Sequence, residues 1–318
     1  MNRRNFIRSI ACATTASGVG GATAFGSLLF SAKESPRVAI TMDDFSMAET
    51  PRLSVEERNR RVLDALARHS DLKAALFVAG KNCDNEQGKR MLGPWNDRKH
   101  TIANHSYSHH YYNSKRMSFQ VFSEDALRGE AVIKDFSRFK KLFRFPYLKE
   151  GDTAEKRDLM RAFLKKHGYR TGHVTIDASD WYVDDRLRKR LEKEPDADLS
   201  PYRNYYLDHI RDRATYYDDL SRKVLGRSVK HTLLVHFNLL NALFLDDLLS
   251  MFENRGWKLI DADEAFEDPV FSSAPNILPA GESIVWALAK QAGRFDSLLR
   301  YPGEDGEYEK EKMDRLGL

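Results

Sequence analysis

Cysteine is nearly absent. The 318 residues hold two, Cys12 and Cys83, and Cys12 falls in an N-terminal stretch that reads as a targeting segment. The body then has one thiol, which excludes an internal disulfide and a thiolate metal cage, so any metal must be held by histidine and carboxylate. Phosphate-cradling glycine loops are missing as well. No G-x-G-x-x-G follows a strand-like run and no G-x-x-x-x-G-K-S/T occurs, so nucleotide binding is not indicated. Nor is there an excess of charge: the formal value of +4 falls to +1 without Arg3, Arg4 and Arg8 of the leader. Such a body has no basic stripe and offers nucleic acid no electrostatic footprint. What it does have is 42% hydrophobic residues, enough for one large α/β domain with an appendage.

Residues 1–32 read as an address. Asn2-Arg3-Arg4-Asn5-Phe6-Ile7-Arg8, followed by an uncharged Ala/Gly/Thr-rich stretch from Ser9 to Phe30, has the make-up of a bacterial twin-arginine export signal. Its hydrophobicity is mild for a transmembrane helix, although its length would reach across a bilayer. Cleavage near Ala24-Phe25-Gly26 and retention as an uncleaved anchor both stay open, and the anchor would be the only membrane contact. A lipoprotein reading fails because Cys12 precedes the apolar region it should follow. The expected destination is the periplasm or the medium.

Beyond the leader, apolar runs alternate with helical periodicity. Strands are expected at 38–41, 74–79, 101–104, 141–145, 172–176, 231–236 and 257–260, and helices at 54–69, 118–136, 153–167, 199–225, 241–255 and 283–299. This alternation predicts about seven parallel strands with right-handed crossovers, open or closed into a barrel. Asp152 and Glu155 have capping-box spacing for the helix at 153–167. Residues 186–230 read as a charged connection and a long helix. Residues 33–268 form the expected catalytic domain, and 269–318 a C-terminal extension of a loop, one helix and a hydrophilic tail covering the barrel exterior.

The run Val38-Ala39-Ile40-Thr41-Met42 ends in Asp43-Asp44. Two adjacent carboxylates at a buried strand end repel each other unless a metal ion or an arginine sits beside them. His105 and His109 stand four apart, so a helical turn there would put both imidazoles on one face toward one ion; His100 and His110 are rivals. Arg144 closes the fourth strand and can pair with a carboxylate. Asp177 and Asp180 follow the fifth strand and His236 ends the sixth. Singly each has an ordinary explanation, as surface ion pair, helix cap or core histidine. Together they place carboxylates, histidines and an arginine at one edge of one sheet, which is what a metallo-hydrolase needs.

The ordered set Thr41-Met42-Asp43-Asp44, His105-Ser106-Tyr107-Ser108-His109, Arg144-Phe145-Pro146-Tyr147, Asp177-Ala178-Ser179-Asp180-Trp181 and Leu233-Leu234-Val235-His236 resembles the five motifs of the polysaccharide deacetylases, the NodB-homology or carbohydrate esterase family 4 enzymes. The resemblance implies an α/β fold, a distorted (β/α) barrel of about seven strands, and Zn2+, or another divalent ion such as Co2+ or Ni2+. It implies Asp44, His105 and His109 as metal ligands, Asp43 as general base, Arg144 as its partner, and His236 as general acid oriented by Asp180. The Tyr147 backbone N–H would stabilise the oxyanion and Trp181 would wall the acetyl pocket, with Asp177 structural. Where the family commonly has Thr-Phe-Asp-Asp-Gly, this chain has Met42 and Phe45, and Phe45 is expected to put a ring beside the metal and narrow the substrate groove. The implied reaction is hydrolysis of linear amides, N-acetyl groups on a polysaccharide of the peptidoglycan, chitin or poly-N-acetylglucosamine kind. An O-acetyl xylan esterase and a dead carbohydrate-binding barrel are the alternatives.

The leader carries its own test: Arg3→Lys combined with Arg4→Lys should hold the precursor in the cytoplasm. Immunoblotting of cell fractions decides it, and normal export of the double variant through the general secretory route would refute the twin-arginine reading.

Overall fold

The computed structural model describes residues 34–300 and 306–318; the export signal expected over residues 1–32 lies outside them. Among the described residues no helix is long and apolar enough to cross a membrane. The elements run β1 (Arg37–Asp44), α1 (Val55–Arg68), β2 (Ala75–Val78), α2 (Glu86–Asp97), β3 (Thr101–Asn104), α3 (Phe119–Ile133), β4 (Phe139–Phe143), β5 (Lys149–Gly151), α4 (Ala154–Lys166), β6 (Arg170–Thr171), α5 (Asp180–Lys193), α6 (Ser200–Leu225), β7 (Lys230–His236), α7 (Leu239–Asn254), β8 (Lys258–Leu259), α8 (Ala262–Ala265), β9 (Ala280–Gly281), α9 (Ile284–Ala292) and α10 (Glu307–Arg315).

The main sheet has the order β6-β4-β3-β2-β1-β7, with β8 beside the start of β1, and every pairing in it is parallel. Parallel neighbours need crossovers, and the helices supply them on the outside. The strand expected at 172–176 is instead the two-residue β6 followed by an irregular stretch. Gly172 N–H donates to Phe143 O (2.7 Å), and further on Ile176 N–H donates to Thr232 O and Leu234 N–H to Ile176 O (both 3.0 Å). One segment thus touches β4 at its start and β7 at its end, which draws the sheet's two edges into a distorted barrel. Gly172 has to be glycine there: a Cβ would lie 2.4 Å from the Phe77 ring.

Helix α1 shows how sequence makes these elements. Ser54 Oγ accepts from Glu57 N–H (3.2 Å) at its start, and Val55, Val62, Leu63 and Leu66 form its buried stripe. Two helices escape that pattern. Gly88, Gly93 and Pro94 disguise α2, although Leu92 and Trp95 bury it; the charge of α5 hides a stripe of Val183, Leu187 and Leu191. Asp152 is not the cap of α4. Thr153 Oγ1 accepts from Lys156 N–H (3.2 Å), while Asp152 pairs with the Lys156 ammonium (3.0 Å). The C-terminal segment is also more than a cover. Its β9 pairs antiparallel with β5, and α10 buries Glu309 and Met313.

Strand β1 is the apolar axis, with Val38, Ala39, Ile40 and Met42 fully buried. Its end is strained, since Asp44 and Phe45 have φ of 75° and 51°, a region that costs a non-glycine residue about 1–2 kcal/mol. The glycine expected at position 45 would adopt that φ freely. The expectation for Phe45 is corrected: its ring is in the core, 4.7 Å from Phe237 and 6.2 Å from Trp95, and does not line the groove. The left-handed backbone turns the side chain inward, where burial offsets the strain. Phe45→Gly should therefore lose about 3–5 kcal/mol of packing and regain about 1–2 kcal/mol of strain. An unfolding free energy lowered by about 1–4 kcal/mol, read as a lower urea midpoint at unchanged slope, is expected; an equally stable variant would show that the ring is not core.

Candidate active site

Strand periodicity puts Thr41 and Asp43 on one face of β1, toward the barrel interior. Arg144, just past β4, reaches both: Nη1 donates to Asp43 Oδ1 (2.6 Å) and Thr41 Oγ1 (3.0 Å), and Nε donates to Gly172 O (2.8 Å). Its guanidinium carbon lies 3.8 Å from the centre of the Phe77 ring. Arg144 and Asp43 are 1% and 2% exposed, so the pair is desolvated and breaking it would leave an uncompensated buried charge, unlike a surface pair. Burial weakens the hold of Arg144 on its proton and the Asp43 carboxylate opposes that effect. Asp177 lies buried nearby, where it adds negative charge around Arg144 but does not line the cleft.

The second aspartate faces the histidines. Asp44 Oδ1 lies 3.1 Å from His109 Nε2 and 3.5 Å from His105 Nε2, yet it has no aligned hydrogen bond. The three donor atoms fall within 4.8 Å of one another. Ligands about 2.0–2.2 Å from a tetrahedral ion stand about 3.3–3.6 Å apart, so converging lone pairs at these separations fit a divalent cation. His105 Nδ1 is 2.9 Å from Arg144 O, which assigns the proton to Nδ1 and leaves Nε2 free to ligate. Burial works against the charge of Asp44, but the two imidazoles hold its carboxyl well below the ordinary carboxylate range. It therefore stays ionised at neutral pH.

No helix presents the two histidines; a turn brings them together instead. After β3 the chain turns through Ser106 (φ 63°) to His109 (φ 56°). Ser106 N–H donates to Asn104 Oδ1 (2.9 Å), the Tyr107 and Ser108 N–H groups donate to Asp125 Oδ2 (3.1 and 3.0 Å), and His109 N–H donates to Ser106 Oγ (3.1 Å). Gly129 lets α3 close on this loop, since a Cβ there would lie 2.6 Å from the Ser106 carbonyl. The rivals drop out. His100 is buried against Trp95, accepts from Ala74 N–H (3.1 Å) and is pushed by burial to a pKa of about 3; His110 does not line the cleft.

Across the cleft, His236 Nδ1 lies 2.7 Å from Asp180 Oδ1. Asp180 is fully buried at the start of α5, and its Oδ2 accepts from His236 N–H (2.9 Å), Asn238 Nδ2 (3.0 Å) and Asn241 Nδ2 (2.8 Å). Burial alone would discharge His236, but the Asp180 carboxylate outweighs it and raises the pKa to about 10. Asn238 and Asn241 were not legible as site residues. Asn238 also caps α7, accepting from Asn241 N–H (2.9 Å), and that role explains it from sequence alone.

These groups line one cavity of about 400 Å³ with Tyr147, Leu148, Ala178, Trp181 and Leu234. Tyr147 (φ 58°) tops a tight turn held by Leu148 N–H to Phe145 O (3.0 Å) and Lys149 N–H to Pro146 O; its own N–H makes neither bond. Its ring, 46% exposed, sits 4.7 Å from His109 and 5.4 Å from Tyr111. Of the expected site residues, Arg144, Asp180 and Phe45 do not line the cavity: Arg144 and Asp180 hold the lining residues Asp43 and His236 from behind, whereas Phe45 packs into the core.

The histidine assignment has a direct test. If these residues hold a divalent metal, His105→Ala or His109→Ala should remove most of it, while His110→Ala keeps it, as elemental analysis of the purified variants would read. Full metal occupancy in His109→Ala would move the ligand set.

A polysaccharide deacetylase profile matches residues 31–172, a span that carries the strand ends from Asp43 to Tyr147 but not Asp180 or His236. No curated protein sequence matches significantly. Solved structures with similar folds include the peptidoglycan deacetylase PdaC of Bacillus subtilis, at 20% identity over 74% of this chain and 91% of that one (TM-score 0.48). Another is a carbohydrate esterase family 4 pseudoenzyme of Bacillus anthracis, at 19% identity over 74% and 67% (TM-score 0.48). A third is a family 4 carbohydrate esterase of Streptomyces lividans, at 20% over 72% and 95% (TM-score 0.46). The profile match and the motif order make residues 31–172 similar to the polysaccharide deacetylase family.

Proposed function

We propose that this protein is a metal-dependent hydrolase that removes N-acetyl groups from a glycan containing N-acetylglucosamine, and that it works outside the cytoplasm. The observation that carries the reading is the facing of two unlike halves across one cleft. On one side are a buried carboxylate and a three-donor metal set; on the other is a histidine held protonated by a buried aspartate. A binding barrel has no use for base, acid and metal donors together.

A divalent ion held by Asp44, His105 and His109 would polarise the acyl carbonyl, and the N/O donor set suits zinc, cobalt or nickel. Asp43, with Oδ1 tied to Arg144, presents Oδ2 to take a proton from the attacking water. The Tyr147 N–H is available to the oxyanion. Trp181, Leu148, Ala178 and Leu234 offer the acetyl methyl an apolar wall. His236 Nε2 then donates its proton to the nitrogen as the C–N bond breaks, releasing acetate and a free amine. Amide nitrogen leaves only when protonated, whereas an ester oxygen leaves more readily. A histidine kept charged through neutral pH therefore favours N-acetyl over O-acetyl substrates.

Acetate release from peptidoglycan, chitin oligomers, poly-N-acetylglucosamine and acetylxylan, with and without chelator, tests the class; activity on xylan alone would select the esterase. Asp43→Asn should keep its metal and lose about 10²- to 10⁴-fold in turnover. The pH profile adds a sign. Because the folded pKa of His236 is raised, its acid function is complete at neutral pH and is lost as pH rises toward about 10, with a bound cation pulling that limb lower. Asp180→Asn removes the raising charge, so the alkaline limb should move to lower pH. An unmoved limb would exclude His236 as the acid.

A further inference from the structure

The C-terminal helix α10 reaches the back of this site through buried polar contacts. Glu309, 5% exposed, meets three side chains spaced one turn apart on α6. Tyr205 O–H donates to its Oε2 (2.5 Å), His209 Nδ1 lies 3.4 Å from the same oxygen, and Arg213 Nη2 donates to Oε1 (3.5 Å). Burial opposes a charge on Glu309, but His209, Tyr205 and Arg213 hold its carboxyl at about 2. The other nitrogen of His209 continues the chain: Nε2 accepts from the Ser179 backbone N–H (3.1 Å). Ser179 precedes Asp180, and Ala178 lines the cleft.

An imidazole can accept at Nε2 only if its proton is on Nδ1, and an acceptor at Nδ1 selects that tautomer. Glu309 is that acceptor. Without it the ring can carry its proton on Nε2, pointing at the Ser179 N–H, and the start of α5 must shift. We infer that Glu309 and His209 are positioning residues that fix the backbone of Ser179, and through it the Asp180 carboxylate on His236 and the Trp181 wall of the cleft. This coupling makes the C-terminal extension part of the catalytic apparatus, and it rests on the proposed role of the Asp180–His236 pair.

The test uses the full-length, metal-loaded protein. His209→Leu and Glu309→Leu should each lose about 10- to 100-fold in kcat for acetate release, the scale of a displaced catalytic group. KM should stay within about threefold, as for an interaction made in the transition state, and the metal content should be unchanged. His209→Gln, whose amide can accept from Ser179 and donate to Glu309, should keep kcat within about fivefold. The NMR resonance of the His236 Nδ1 proton, read without substrate, should move in both leucine variants. Should those variants fail to fold, Tyr205→Phe, which removes one bond to Glu309 at nearly constant volume, should move it in the same direction. Wild-type kcat with an unmoved resonance in His209→Leu, a His209→Gln as impaired as His209→Leu, or an unmoved resonance in Tyr205→Phe would overturn the inference. If the unaltered protein releases no acetate from any polymer, the deacetylase reading falls and the resonance alone decides the coupling.

Discussion

The buried pairing of Arg144 with Asp43 is the constraint around which the site is arranged. It spans the barrel interior from β1 to the end of β4 at 2.6 Å, and a desolvated pair of this kind depends on partners for its remaining polar atoms. Thr41 and the Gly172 carbonyl meet Nη1 and Nε, while Nη2 stays buried without an aligned hydrogen bond, and these contacts require β1, β4 and the closing segment after β6 to lie where they do. Removing either partner would strand a charge at a cost of about 3–5 kcal/mol. The pair also separates the two aspartates chemically. Asp43 is neutralised from within by arginine, which leaves the adjacent Asp44 to face the histidines.

Backbone strain follows from the same arrangement. Asp44, Phe45, Ser106, His109, Tyr147 and Leu148 all have φ between 51° and 75°, and all sit at or just behind the cleft. Left-handed residues without glycine cost energy that surrounding packing must offset, and they cluster where side chains have to be aimed against local preference. Here the offset is visible. The Phe45 ring is sunk beside Phe237 and Trp95, and the Ser106–His109 loop is held by Asn104, Asp125 and Ser106 itself.

This explains what sequence could and could not disclose. Strand ends were legible because apolar runs stop at chemically distinctive residues, and Asp43, Asp44, Arg144 and His236 stand where such runs stop. The four-residue spacing of His105 and His109 is satisfied by a tight turn with left-handed residues as well as by a helix, and spacing alone does not tell the two apart. Phe45 was misplaced because side-chain direction depends on φ, and nothing in Asp-Asp-Phe announces a positive one. Asn238, Asn241 and His209 were invisible for another reason. Each lies on or beside a helix with an ordinary local explanation, and each becomes meaningful only when tertiary folding brings Asp180 or Ser179 to it.

The two halves of the cleft therefore differ in how they are held. The metal side is set by short-range geometry, with strand ends, tight turns and a tautomer fixed by the Arg144 carbonyl. The proton side is set at long range: Asp180 takes donors from residues 56–61 positions away, and its neighbour Ser179 bonds a histidine whose partner is 100 residues further on. A site divided in this way can keep its metal donors in place while its acid is displaced, because the elements supporting His105 and His109 do not include α6 or α10. On the proposed reading, variation in the C-terminal segment would tune turnover without touching metal affinity, and α10 would serve the chemistry although it contributes no atom to the cleft.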